Sequence, residues 1–169
     1  MFDAPLWRDY FVMVGGGAAA LTGLVFVAMS LHLSDVASDP THRHRARTIL
    51  TALTTVFIRC GLVLMGGQTA RAVGIEIFVV IVGVEIVVLR SLNQALRGSG
   101  AAQHGVLSRT LGYAACLTIE QTGAVILFFG HTWGLYAVGL GMMASFLFIV
   151  SGAWLLLVGV DSPARRRTP

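Results

Sequence analysis

From Ile49 to Gly67 the chain is apolar for about the length that crosses a bilayer, broken near its middle by one arginine, Arg59. Other stretches of the same kind enclose Glu76, Glu85 and Glu120. In hydrocarbon the backbone groups of such a run find partners only within a helix, so the fold class narrows to all-α. A charge in that medium costs on the order of 2.5–3.5 kcal/mol on insertion scales, and it persists when paired or hydrated. The four charges at depth therefore become the candidate site.

The rest of the composition agrees. The 169 residues are 56% hydrophobic and 12% charged, more apolar surface than a water-soluble domain of this size can hide. All twelve basic residues are arginine. They cluster at the ends of apolar segments, where anionic lipid headgroups lie, so the basic balance points to membrane lipids and not to nucleic acid. The two cysteines, Cys60 and Cys116, both fall inside apolar segments and form no CxxC motif. Asp3 and the lack of a basic run before the first apolar stretch give no sign of a cleavable signal peptide.

Five spans are expected, at about 10–33, 47–67, 72–89, 111–130 and 133–160, in one transmembrane domain covering 1–169 with a basic tail at 161–169. Asp39-Pro40 reads as an N-cap followed by proline at the first helical position, so the second helix starts ahead of its apolar part. Gly66-Gly67-Gln68-Thr69 and Gly130-His131-Thr132 read as tight turns, which makes helices two and three, and four and five, antiparallel neighbours. Nine arginines (Arg43, Arg45, Arg47, Arg90, Arg97, Arg109, Arg165, Arg166, Arg167) fall on one side and two, Arg8 and Arg71, on the other. The positive-inside rule places the nine in the cytoplasm, the N-terminus outside and the C-terminus inside, in a bacterial inner membrane. Arg43, Arg45, Arg47, Arg165, Arg166 and Arg167 are then headgroup contacts. Trp7, Tyr10, Trp133 and Tyr136 fall at the opposite interface, where aromatic rings are favoured.

Depth follows from the helical rise of about 1.5 Å per residue. On that scale Arg59 lies about 18 Å above Arg47, Glu120 about 16 Å above Arg109, Glu76 about 21 Å above Arg90, and Glu85 about 8 Å above Arg90. Arg59 is eight residues before Gly67 and Glu76 eight after Gln68, so a hairpin centred on the turn sets them at one height. Glu76 is thus the expected partner of Arg59, with Glu120 second. Glu85 and Glu76 are nine residues apart, on opposite faces of their helix. Thr48, Thr51, Thr55 and Arg59 share one stripe, and Tyr113, Cys116, Glu120 and Gly123 another with Gln121 alongside, which predicts a polar seam. The seam has two functions open to it: fixing helix register, or carrying protons or cations.

Small residues align at Gly15, Ala19 and Gly23, and at Gly141, Ser145, Gly152 and Gly159, spacings that let helices approach within a subunit or between subunits. Five spans enclose little water, so conduction implies a homo-oligomer with its pore between subunits. His42 and His44 point away from each other on a helix, and His32 and His131 lie at opposite surfaces, so neither metal nor haem is expected. No HExxH, GxSxG, P-loop or paired-Asp pattern appears, and no catalytic residue or cofactor is expected.

The segment PLWRDYFVMVGGGAAALTGLVFVAMSLHL, with ILTALTTVF and LVLMGGQ, resembles a group of small multi-pass membrane proteins of high-GC actinobacteria. The resemblance covers the first two helices and implies no activity. The expected function is a small homo-oligomeric ion channel or permeation protein, with a non-conducting accessory or regulatory subunit as the alternative.

Overall fold

A computed structural model describes residues 4–31, 40–97 and 102–160, with side chains described over 7–31, 46–90 and 110–154. It is built from α1 (Ala4–Leu31), α2 (Pro40–Leu64), α3 (Ala70–Arg97), α4 (Ala102–Phe128) and α5 (Gly134–Val160). Each contains a span long and apolar enough to cross a membrane: Trp7–Leu31, Ala46–Leu64, Ala70–Arg90, Thr110–Phe128 and Gly134–Trp154. All five expected spans are therefore present as helices. The second helix starts at Pro40, where the proline signal put it, while α4 begins at Ala102, ahead of its apolar span from Thr110.

Both tight turns have a local cause. After α2, Gly67 takes φ of 78°, a left-handed conformation that glycine adopts without a Cβ penalty. Thr69 then caps α3, its hydroxyl accepting from the Ala72 amide at 3.2 Å. After α4, Gly130 has φ of 88°. Its amide donates to the Leu127 carbonyl at 2.8 Å and that of His131 to Ile126 at 3.2 Å, the paired closure of a Schellman motif.

The packing is uneven. α3 lies along α4, α4 along α5, and α1 along α2, whereas α2 touches α5 and α3 over shorter stretches and α1 barely reaches α5. So α2 to α5 form a ring, with α1 against α2. Inward positions repeat at helical spacing: Phe11, Val14 and Ala18 on α1; Leu53 and Val56 on α2; Val73, Ile77 and Ile81 on α3; Leu117, Ala124 and Leu127 on α4; Leu135, Val138 and Met142 on α5. Large apolar side chains such as Leu24, Phe26, Val79, Leu147 and Trp154 point outward, which suits a hydrocarbon solvent. At the end carrying both turns, Trp7 meets Tyr136 edge-on at 4.7 Å between ring centroids and Tyr10 at 5.8 Å. The rings expected at one interface thus gather at one end of the bundle.

The small-residue stripes divide. Gly15 is covered by Cys60, where an added Cβ would lie 3.0 Å from that residue's Cβ, while Ala19 and Gly23 face outward. Gly141 and Ser145 are buried inside the bundle. They serve packing within one chain. Gly159 has no described side-chain environment.

Candidate functional site

Among the described residues, the bundle closes on one ion pair. Arg59 comes from the middle of α2, and its Nη1 donates to Glu120 Oε2 on α4. Both side chains have 0% exposure, so neither oxygen nor nitrogen meets lipid or bulk water. Because α2 and α4 share no extended packing, the two long side chains reach across the ring. Ser145 on α5 donates to the other carboxylate oxygen, Oε1, at 3.0 Å and is itself fully buried. Arg59 Nε donates back to the Thr55 carbonyl at 3.1 Å, which fixes the guanidinium to its own helix. One interaction centre therefore ties α2, α4 and α5 together.

Glycine makes room for it. A Cβ at Gly141 would stand 2.3 Å from Glu120 Cγ and 3.0 Å from the Cys116 carbonyl oxygen. Only a residue without a side chain lets α5 pass this close to the carboxylate. Gly123 and Gly134 do the same for each other's backbone nearer the turn, with added Cβ atoms 2.6 and 2.5 Å from the facing carbonyls. Gly74 sets α3 on α4 in the same way, 2.7 Å from the Ala124 carbonyl oxygen.

Among the described residues, Arg59 Nη2, the Tyr113 hydroxyl, Gln68 Oε1 in the turn and Gln121 Oε1 at the flank of α4 are buried without a close, well-aligned hydrogen bond. Tyr113 interacts with both Arg59 and Thr55, on the helix facing its own. Thr55 spends its own hydroxyl on the Ala52 carbonyl at 2.8 Å. Both thiols are free and buried, Cys60 against Gly15 and Cys116 beside Ser145.

Glu76 is not the partner of Arg59, contrary to the register expectation. Its two oxygens both accept from Gln68 Nε2, each at 2.9 Å, in the turn that precedes α3. The buried face of α3 is Val73, Ile77, Ile81 and Val84, and Glu76 sits at the margin of that face, half-buried. Equal height is necessary for a pair and does not set the angle around the helix. Gln68, part of the turn itself, is the nearer donor. Glu120 lies in line with Leu117, Ala124 and Leu127, on the face of α4 that looks into the ring.

Glu85 is half-buried and makes no hydrogen bond or ion pair with the described residues. Gln121 is half-buried at the flank of α4. Of the expected headgroup contacts, Arg47 is exposed. The side chains of Arg43 and Arg45, and Arg165, Arg166 and Arg167 altogether, lie outside the described residues.

Sequence reasoning put Arg59, Thr55 and Glu120 in one seam but missed what Ser145 and Gly141 do for it. Their four-residue spacing was a signal of close packing; that the neighbour would be a carboxylate had no local sign. No protein family, no curated protein and no solved structure matches the chain.

Proposed function

We propose that this membrane protein is a non-conducting subunit, multi-pass in a bacterial inner membrane with its C-terminus in the cytoplasm, acting by association with other membrane proteins. The observation that supports this reading is the complete burial of the Arg59–Glu120 pair. A carboxylate on a cation path must meet water or the ion, whereas Glu120 has one oxygen on Arg59 and the other on Ser145. The pair is neutral and spans the ring, an arrangement suited to fixing how the helices stand against one another.

A second reading is ion permeation by a homo-oligomer. It is favoured by the incompletely satisfied Arg59 Nη2 and Tyr113 hydroxyl in the same ring, groups whose bonding hydration would complete. Its path would run within a subunit beside the pair, because the polar groups converge inside one chain.

Reconstitution in liposomes separates the two. With purified protein, the first reading expects no cation or proton flux above empty vesicles under a potassium or pH gradient. Flux that falls on Glu120→Gln would overturn it in favour of the second, and the protein's mass in lipid nanodiscs would then give the number of subunits.

A further inference from the structure

Glu85 is the charge at depth that neither the buried centre nor a turn uses. It is half-buried on α3 and meets no partner among the described residues. Its bearing follows from Gly74, where an added Cβ would stand 2.7 Å from both the Ala124 carbonyl oxygen and the Phe128 amide nitrogen of α4, the middle helix of the α3–α5 triple. Glu85 comes eleven residues later, three turns to within about 20°, so it also looks toward α4. Counted down the antiparallel pair from that contact, it is level with about residue 115. The buried face of α3, at Val73, Ile77, Ile81 and Val84, lies to one side of this line, and exposed Phe78 and Leu89 lie to the other. Glu85 thus stands at the rim of the groove that α3 and α4 turn outward. The nearest helix positions without described side chains, 91 and 109, are about 9 Å farther along the axes.

Gln121 flanks the same groove from α4. It lies seven residues, about two turns, before Phe128, on the side that meets α3. It is half-buried, and its Oε1 lacks a close, well-aligned hydrogen bond. Helical side chains lean toward the N-terminus of their own helix. In this antiparallel pair that carries Glu85 toward the turn end and Gln121 away from it, so the carboxylate and the amide converge near the level of Thr118. Thr118 and Ala114 are the small side chains beside them, the first exposed and with its hydroxyl given to the Ala114 carbonyl at 2.9 Å. They leave a notch in the groove and do not cover the acid.

We propose that the Glu85–Gln121 notch is an intramembrane docking site for a spanning helix of another protein that carries a basic side chain at the same depth. This rests on the accessory-subunit reading and names the chemistry of its partner. Charge complementarity selects the occupant. Glu85 lies about 8 Å above Arg90, inside the hydrocarbon, where a carboxylate needs a counter-charge and lipid tails supply none. A basic side chain brings N–H donors to the carboxylate and to Gln121, whose amide turns to meet them without breaking a hydrogen bond among the described residues. Between helices in lipid, polar contacts of this kind add attraction that apolar surface alone does not give. A second copy of the chain does not fit. Among the described cations Arg59 is committed to Glu120, Arg8 and Arg71 stand at the turn end, and Arg47 and Arg90 stand at the other boundary. A two-fold contact through this face would also set two Glu85 carboxylates side by side.

Energy transfer in liposomes tests the site on the full chain. The purified protein carries a donor fluorophore, and the probes are acceptor-labelled synthetic polyleucine helices that span the bilayer. One probe has leucine throughout its core, one has a single arginine at the depth of Glu85, and one has a glutamate there. The arginine probe is expected to associate about tenfold more tightly than the leucine probe, and the glutamate probe no more tightly than leucine. Glu85→Gln should abolish the arginine advantage and Gln121→Leu should reduce it. Should Glu85→Gln fail to assemble, Ala114→Leu fills the notch and should abolish the advantage in the same way. Equal association of the arginine and leucine probes would overturn the proposal and leave the groove to lipid. An arginine advantage that survives Glu85→Gln or Ala114→Leu would overturn it by placing the contact elsewhere. Energy transfer between copies of the protein that disappears on Glu85→Gln would overturn it in favour of a second copy. Flux is not read, so failed docking leaves the non-conducting reading standing, and flux found separately leaves the docking result standing.

Discussion

Glu76 and Glu120 are two carboxylates set at about the same depth by the 1.5 Å helical rise, and their fates differ. Glu120 is wholly covered and holds an arginine from across the ring and a serine from the next helix. Glu76 is half-buried and is met by a neutral amide from the turn beneath its own helix. The difference lies in what surrounds each one. α4 runs down the middle of the tight triple, so a residue on its inner face cannot escape to water and must be neutralised by a charge. α3 shows its margin near a turn, where partial exposure and a local amide suffice. A charge at depth is thus an interhelical tie in one place and a local cap on a turn in the other.

Losing the cation should break the comparison most strongly. Arg59→Leu strands a fully buried carboxylate, and removing one member of a buried pair typically costs about 3–5 kcal/mol. The variant is expected to lose that much in reversible unfolding by denaturant in mixed micelles, or to fail to accumulate in membranes. Replacing both members, Arg59→Leu with Glu120→Leu, should recover most of the loss, since a buried ion pair exchanged for apolar side chains is often close to neutral.

A smaller effect is expected from the side chains that position Glu120. Ser145→Ala removes a buried hydrogen bond to a charged group, worth about 1.5–3 kcal/mol. Gly141→Ala drives a methyl into the space of Glu120 Cγ, an overpacking cost of about 1–3 kcal/mol. Gly152→Ala, at 3.9 Å from Ile49, should change stability little. Equal losses at Gly141 and Gly152 would mean that the close approach to Glu120 is unimportant.

The smallest effect belongs to Glu76. Glu76→Gln keeps an acceptor for Gln68 Nε2, so its cost should be no more than about 1 kcal/mol, the scale of an ordinary hydrogen bond. A loss as large as that of Arg59→Leu, in the same unfolding assay, would put Glu76 back in the charged centre.

Much of the fold was legible because hydrocarbon imposes it. Apolar length gave five helices, Asp39-Pro40 gave the start of α2, and the glycine pairs gave both turns. The level of the charged seam was also legible, because height along a helix is counted in residues. The partner was not. Which side of α2 faces the ring depends on α1 taking the opposite flank, and that preference is carried by Gly15 against Cys60, a contact between residues 45 positions apart. The expectation that consecutive helices joined by a tight turn share their charges failed for the same reason: α2 packs more extensively on α1 than on α3. Ser145 and Gly141 were visible as a stripe of small residues, but the stripe has the same appearance whether it faces a neighbouring subunit or a carboxylate in its own.

A double-mutant cycle tests the central claim, that Arg59 is tied to Glu120 and not to Glu76. Arg59→Leu is combined in turn with Glu120→Leu and with Glu76→Gln, and unfolding free energies are measured for all singles and doubles in one micelle system. Residues in direct contact couple by about 0.5–3 kcal/mol, whereas independent sites add to within about 0.5 kcal/mol. The predicted result is a coupling at or above the upper part of that range for Arg59 with Glu120 and simple additivity for Arg59 with Glu76. Additivity with Glu120 together with strong coupling to Glu76 would contradict the account.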